Sequence, residues 1–135
     1  KKKIFYDEVM KQAAVFLPFM KDKVASSSMT VPVPDGSTVD LTIDIKTQAT
    51  SEEINQTIKE AIKHLPYNKV LDITFDPIVS SDVVGNSHSG IIDGLATMDI
   101  NNNKIKILVW FDNGWGYSAR IIDTITKLSE SRVNE

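Results

Sequence analysis

The sequence contains no cysteine among its 135 residues. Disulfides, thiolate metal ligands and thiol nucleophiles are therefore excluded from this chain, whatever compartment it occupies. Arginine is nearly as scarce. Arg120 and Arg132 are the only two, which leaves few donors for bidentate phosphate recognition. Positive charge is also lacking overall: the formal net charge is −3, and no electrostatic footprint for nucleic acid or an anionic membrane results. No apolar run approaches the roughly 20 residues of a membrane span, and no signal peptide is visible. The chain opens Lys1-Lys2-Lys3 without a methionine. It reads as processed, tagged or part of a longer polypeptide. It is expected to be soluble, with cytoplasm and mitochondrion both open.

What is present is ordinary for a globular protein: 41% hydrophobic and 24% charged residues. The length predicts one domain, residues 1–135, able to bury roughly two thirds of its unfolded surface. Val9, Met10, Ala13, Ala14, Phe16 and Leu17 have helical spacing, so a helix is predicted over Asp7 to Phe19 and broken by Pro18. Strands are predicted at Ser28 to Val33 and Thr38 to Ile45, on either side of Pro34-Asp35-Gly36-Ser37. In that turn proline presets φ and glycine takes a positive φ. In the second strand Val39, Leu41, Ile43 and Ile45 alternate with Asp40, Thr42 and Asp44, which predicts one buried face.

Thr50-Ser51-Glu52-Glu53 is a capping box. The helix it opens is predicted to run to about His64, with Ile54, Ile58, Ala61 and Ile62 facing the core. Val70 to Phe75, Ile78 to Val84, Ile91 to Ile100 and Lys104 to Phe111 read as extended, with an Asn101-Asn102-Asn103 turn between the last two. A final helix from about Trp115 to Ser129 would pack Tyr117, Ile121, Ile125 and Leu128 inward. The expected fold is α+β: a mainly antiparallel mixed sheet with about three helices on one face.

Four blocks of the sequence carry a family resemblance. They are Val31-Pro32-Val33-Pro34-Asp35-Gly36-Ser37-Thr38-Val39-Asp40-Leu41-Thr42, then Thr50 to Asn55, then Asp76 to Ser89, then Trp110-Phe111-Asp112-Asn113-Gly114-Trp115-Gly116-Tyr117-Ser118-Ala119-Arg120-Ile121-Ile122-Asp123. In this order and spacing they resemble the C-terminal part of the catalytic domain of phosphorylating glyceraldehyde-3-phosphate dehydrogenases. The resemblance runs from about residue 4 to residue 129. It does not include the Rossmann domain or the segment with the family's catalytic cysteine and histidine. It implies a tetrameric relative whose sheet contributes to subunit contacts, and apolar area here that other segments would cover.

The resemblance also allows a residue-by-residue audit. A Ser-Thr-Gly at the start of the family's first helix binds phosphate, and the matching positions here are Tyr6, Asp7 and Glu8. Two carboxylates there would repel an anion. The family's arginine before Val-Pro is Thr30 here, a neutral donor in place of a charged fork. Asn113 matches the nicotinamide-facing asparagine and Tyr117 a tyrosine beside it. One amide contact contributes only about 1 kcal/mol, so these two are cofactor-binding candidates only if a Rossmann domain is supplied. The structural alternative is that Asp112 or Asn113 caps the last helix while Gly114 eases the turn.

His88 in its Ser/Gly loop has no nucleophile or orienting partner in view, and His64 is expected to meet the carbonyls at a helix end. Ser26-Ser27-Ser28 lacks a nucleophile-elbow pattern, and no cluster has metal-ligand spacing. No catalytic residue and no metal ligand are therefore predicted. The chain alone is expected to bind no cofactor, whereas a complete enzyme containing it would use NAD. The expected function is a non-catalytic structural or protein-interaction module, with protein partners or a homo-oligomer through the sheet and neither nucleic acid nor membrane insertion. The alternative is the remainder of a full NAD-dependent dehydrogenase.

Overall fold

The computed structural model describes residues 15–101 and 103–133. The chain divides into two compact units, Lys1–Pro32 and Val33–Glu135. Most of the helix predicted over Asp7 to Phe19 lies outside the described residues, as do Tyr6, Asp7 and Glu8. The described part of the first unit holds a short 3-10 helix, Pro18–Met20. Ser28 to Val33 is not a strand, and Thr30 lies in irregular, exposed chain. The reason is in the sequence: Pro32 and Pro34 have no N–H, and being two apart they would leave one edge of a strand without donors.

The second unit is ordered β1 (Ser37–Asp44), α1 (Ser51–Ile62), β2 (Leu71–Thr74), β3 (Gly90–Ile100), β4 (Lys104–Phe111) and α2 (Asn113–Val133). The sheet order is β1-β4-β3-β2. β1 and β3 pair antiparallel to β4, and β2 pairs parallel to β3. This is the expected α+β fold with a mainly antiparallel mixed sheet. Two α-helices, not three, stand among the described residues. The extended segment expected at Ile78 to Val84 is instead a 3-10 turn, Ser80–Val83. Asp82 Oδ2 accepts from the Val79 N–H at 2.7 Å, and such a local side-chain bond draws the backbone away from a ladder.

Register puts Ile105 opposite Ile43, Ile107 opposite Leu41, and Val109 opposite both Val39 and Ile92, all on one face. The core is Ile92, Ile105 and Ile107, with Ile54, Ile58 and Ile62 of α1 packed against it. The i, i+4, i+8 spacing of those three isoleucines is what turns one stripe of α1 to the sheet. Ala61, expected with them, is exposed. α1 lies over β2 and β3. β1 is left largely bare: Val39, Leu41 and Ile43 are 39–40% exposed, against the buried face that their alternation predicts.

Thr50 caps α1 as the sequence predicts. Its side chain accepts from the Glu53 N–H at 3.2 Å, and the Glu53 carboxylate accepts from the Thr50 N–H at 2.9 Å. Thr50→Ala removes one half of this exchange and is expected to cost about 1 kcal/mol, while Thr50→Ser stays within a few tenths. Urea unfolding of the three proteins checks this, and an alanine variant as stable as wild type would refute the box.

A wide bulge interrupts β3. Asp93 pairs with Leu108 and Met98 with Lys106, so residues 94–97 all stand opposite Ile107. Asp93 organises the bulge: Oδ1 accepts from the Leu95 and Ala96 N–H groups and Oδ2 from Trp110 Nε1. From the other side, Asn55 of α1 donates to the Gly94 carbonyl at 2.8 Å. A side chain at Gly94 would strike the Phe75 ring, 2.5 Å from where its Cβ would lie.

Candidate functional site

The residues singled out by the sequence converge at the start of α2, and the local chemistry explains why the helix begins there. Asp112 is its N-cap. Asp112 Oδ1 accepts from the Trp115 N–H at 2.9 Å, and the Asp112 carbonyl accepts the first helical bond from Gly116 at 2.9 Å. Carboxylates suit this position because the first turn of a helix has free N–H groups and a positive dipole end. Of the two caps left open by the sequence, Asp112 is the one used. The helix starts two residues earlier than expected and runs to Val133.

Asp112 also reaches outside its own helix. Oδ2 accepts from the Gly85 N–H at 2.8 Å. The residue is only 2% exposed. Its carboxyl is held below the usual carboxylate range, first by the Gly85 N–H, then by that of Trp115, against the opposing effect of burial, with a smaller contribution from the Gly114 N–H. Gly85 has φ +81°, a conformation that suits glycine. One carboxylate therefore joins the loop before β3 to the helix after β4.

A second tie lies about two turns further on. Arg120 donates from Nη1 to Ser89 Oγ at 2.9 Å and from Nη2 to the Lys69 carbonyl at 3.2 Å, and pairs with Asp123 at 2.9 Å. One of the two arginines in the sequence is thus fully engaged in holding α2 to its neighbours. Gly116 is buried where α2 passes the loop, and a Cβ there would lie 3.0 Å from the His88 carbonyl.

His88 is half-buried and bonded within its own loop. The Asn86 side-chain oxygen accepts from the His88 backbone N–H and lies 2.9 Å from His88 Nδ1. An amide oxygen only accepts, so Nδ1 carries the proton. No nucleophile meets His88 among the described residues. His64 is exposed and its ring bonds no carbonyl there, contrary to expectation. No group of three potential ligands could hold a metal among the described residues, and no described helix is long and apolar enough to cross a membrane.

Asn113 and Tyr117 sit one turn apart on α2, and both side chains are exposed, Tyr117 at 70%. Neither makes a side-chain hydrogen bond to another described residue. The structure brings these two candidates together and leaves Thr30 in the other unit. The stripe below them is also open. Ile121, Ile125 and Leu128 are 44–61% exposed, not packed inward as their spacing predicts. The sequence reading missed Arg120 and Gly85 as the ties that orient this helix. Asp112 was legible there only as one of two possible caps.

The chain is similar to known proteins over most of its length. A family described as "Glyceraldehyde 3-phosphate dehydrogenase, C-terminal domain" matches residues 8–113. The chain is 46% identical over 115 residues to glyceraldehyde-3-phosphate dehydrogenase 2 of Bacillus subtilis, covering 85% of this chain and 34% of that protein. It is 49% identical over 119 residues to glyceraldehyde-3-phosphate dehydrogenase of Borreliella burgdorferi, covering 87% and 36%. The chain thus spans about a third of the length of the curated relatives it matches.

Proposed function

The chain belongs to the glyceraldehyde 3-phosphate dehydrogenase C-terminal domain family, and from that premise we propose that it serves as a non-catalytic structural and interaction module. The carrying observation is its uncovered apolar surface. Val39, Leu41 and Ile43 on β1, and Ile121, Ile122, Ile125 and Leu128 on α2, are each at least 39% exposed. Exposed apolar residues clustered on one strand and on one helix mark contact surfaces. The chemistry is consistent with the same reading. No cysteine is available as a thiol nucleophile, Thr30 stands where the resemblance implies an arginine, and His88 is turned into its loop.

A second reading is favoured by Asn113 and Tyr117. Their unpartnered polar groups at the start of α2 are free to meet a nicotinamide ring, as expected of a segment of a complete NAD-dependent glyceraldehyde-3-phosphate dehydrogenase whose Rossmann domain holds the cofactor. NAD supplies the hydride acceptor in that reading, and the chain supplies the amide and the phenol.

Two measurements decide between them. A native polypeptide about three times heavier than the 15.0 kDa of these 135 residues selects the complete enzyme. Purified 135-residue chain, given glyceraldehyde 3-phosphate, phosphate and NAD, is expected to form no NADH. Turnover that survives removal of contaminating enzyme would sink the module reading.

A further inference from the structure

Glycine follows an aspartate or an asparagine at three places in the chain: Asp35-Gly36, Asp93-Gly94 and Asn113-Gly114. At each, the side-chain carbonyl carbon of the first residue and the backbone nitrogen of the second can close a succinimide ring. Glycine favours the closure because it has no Cβ to shield its nitrogen and leaves the backbone free to turn. The sequence does not separate the two aspartates. The structure does.

Asp93 is turned away from its glycine. Its Oδ1 accepts from the Leu95 and Ala96 N–H groups and its Oδ2 from Trp110 Nε1, in a residue that is buried within β3. Asn113 is the first residue of α2. The Asp112 cap holds its backbone helical, and the Gly114 N–H is drawn to the Asp112 carboxylate. Asp35 differs from both. The Gly36 N–H donates to Asp35 Oδ1 at 2.7 Å. Cγ is one C–O bond of about 1.2 Å from that oxygen, so it stands within about 4 Å of the nitrogen. The near-attack separation of about 3–3.5 Å is then reached by a small rotation. Asp35 is exposed and sits in the bend ahead of β1, with neither helix nor ladder holding its backbone. Among the described residues its carboxylate makes no other bond.

We propose that Asp35 is a site of spontaneous covalent modification, at which its bond to Gly36 isomerises from the aspartyl to the isoaspartyl form. The step balances without any cofactor. The Gly36 nitrogen forms a bond to Asp35 Cγ, and the protonated carboxyl loses its hydroxyl, which leaves as water with the amide proton. Water then opens the ring. Attack at Cγ restores the original linkage. Attack at the main-chain carbonyl carbon of Asp35 breaks its bond to the Gly36 nitrogen and leaves Gly36 joined through the side chain. The product has the same mass, an extra methylene in the backbone and a free α-carboxylate.

The position gives the change a structural consequence. Gly36 has no slack: its φ is +87°, and a Cβ on it would lie 2.5 Å from the Ser80 carbonyl oxygen. An added methylene just before it must press Gly36 against Ser80 or draw Ser37, the first residue of β1, away from its partner Phe111. The modification therefore reaches the start of the sheet and the Ser80–Val83 turn. All the reacting atoms belong to Asp35, Gly36 and water. The reaction is thus the same whether the chain acts as a module or as a segment of a complete enzyme.

The test ages the 135-residue chain at physiological temperature, folded in buffer and unfolded in urea. Isoaspartate is counted after proteolysis by methyl transfer from S-adenosylmethionine with a purified isoaspartyl methyltransferase. A protease that cuts before aspartate but not before isoaspartate locates it. Isoaspartate is expected at position 35, forming at least as fast in the folded chain as in urea, because the fold holds the nitrogen beside the carboxyl. Asp35→Glu keeps the charge but must close a larger ring, and is expected to lower methylation of that peptide at least about tenfold. Asp35→Asn loses ammonia in place of water and is expected to raise it several-fold. Position 35 is exposed, and circular dichroism verifies that each variant is folded. Absence of isoaspartate at position 35, or its confinement to Asp93 or Asn113, would overturn the proposal. A rate several-fold lower in the folded chain than in urea would do so too, by showing that the fold restrains this junction. Unchanged methylation of the peptide in Asp35→Glu would place the reaction at another residue and overturn it as well. None of these results touches the module reading, which NAD-linked turnover and the mass of the native polypeptide decide.

Discussion

Asp112→Ala is expected to lower the thermal midpoint by roughly 10 °C at neutral pH, the largest loss from any polar substitution in this domain. The carboxylate answers two backbone donors at once, the Gly85 N–H at 2.8 Å and the Trp115 N–H at 2.9 Å. It does so from a position almost closed to water. Removing it leaves both donors without an acceptor in a region that solvent reaches poorly, which costs more than the bonds themselves contribute. It also takes the N-cap from a 21-residue helix. Asp112→Asn should lose most of the same stability. Its single oxygen can serve one donor, and its NH2 group then faces the other.

The pH dependence has a definite sign. The folded carboxyl has a lowered pKa, so its contribution is fully present above the unfolded value of about 3.9. It is lost as pH falls through the folded value below that. Wild type and Asp112→Asn should therefore differ most at neutral pH and converge in strong acid. Amide exchange gives the local readout: the Gly85 and Trp115 N–H groups should lose protection first. Melts of the alanine variant that coincide with wild type at pH 7, with both amides still protected, would refute this account.

The same residue shows how far the site could be seen in the sequence. Asp112-Asn113-Gly114 before an amphipathic run signals a capped helix, because short polar side chains and glycine favour that corner. Its alternative use as a tie to Gly85 depends on a residue 27 positions away, and no periodicity reports a contact of that range. The start of α1 was legible, since both halves of its capping box are local. β3 and β4 were legible to within a residue, since the apolar alternation of β4 and the asparagine turn are local too. Ser28 to Val33 is not a strand, because the β-propensity of its valines is offset by the N–H that Pro32 lacks and by Pro34 just beyond. Ile78 to Val84 failed because Asp82 competes for the backbone.

The errors of burial have a different origin. The alternation of β1 and the stripe of α2 are real apolar faces. Within the described residues they are not covered, and a sequence pattern states that a face is apolar without naming what covers it. The family blocks keep the strand, turn and helix that display Asn113 and Tyr117. The polar groups around them, Asp112, His88 and Arg120, are spent on internal bonds.

Gly36→Ala is the other change expected to have a large effect, at about 3 kcal/mol. Gly36 has φ +87°, where an alanine is strained by roughly 1 kcal/mol. That part was legible from Pro-Asp-Gly. The larger part was not. A Cβ at this position would lie 2.5 Å from the Ser80 carbonyl oxygen and 3.0 Å from Ser80 Cβ, and relieving such a contact with backbone costs about 2 kcal/mol. Either the start of β1 or the Ser80–Val83 turn must move. The turn carries Val83, which is 1% exposed, so neither movement is free. Gly85→Ala supplies the internal control. Gly85 has nearly the same φ, +81°, but nothing lies within 4 Å of its would-be Cβ. Its N–H, which serves Asp112, is unchanged by the substitution. It should cost only the strain, about 1 kcal/mol. Urea unfolding of the two variants measures the difference, which isolates the contact between Gly36 and Ser80. Equal losses at the two glycines would show that backbone conformation alone decides, and that the close approach of these two family blocks carries no energy.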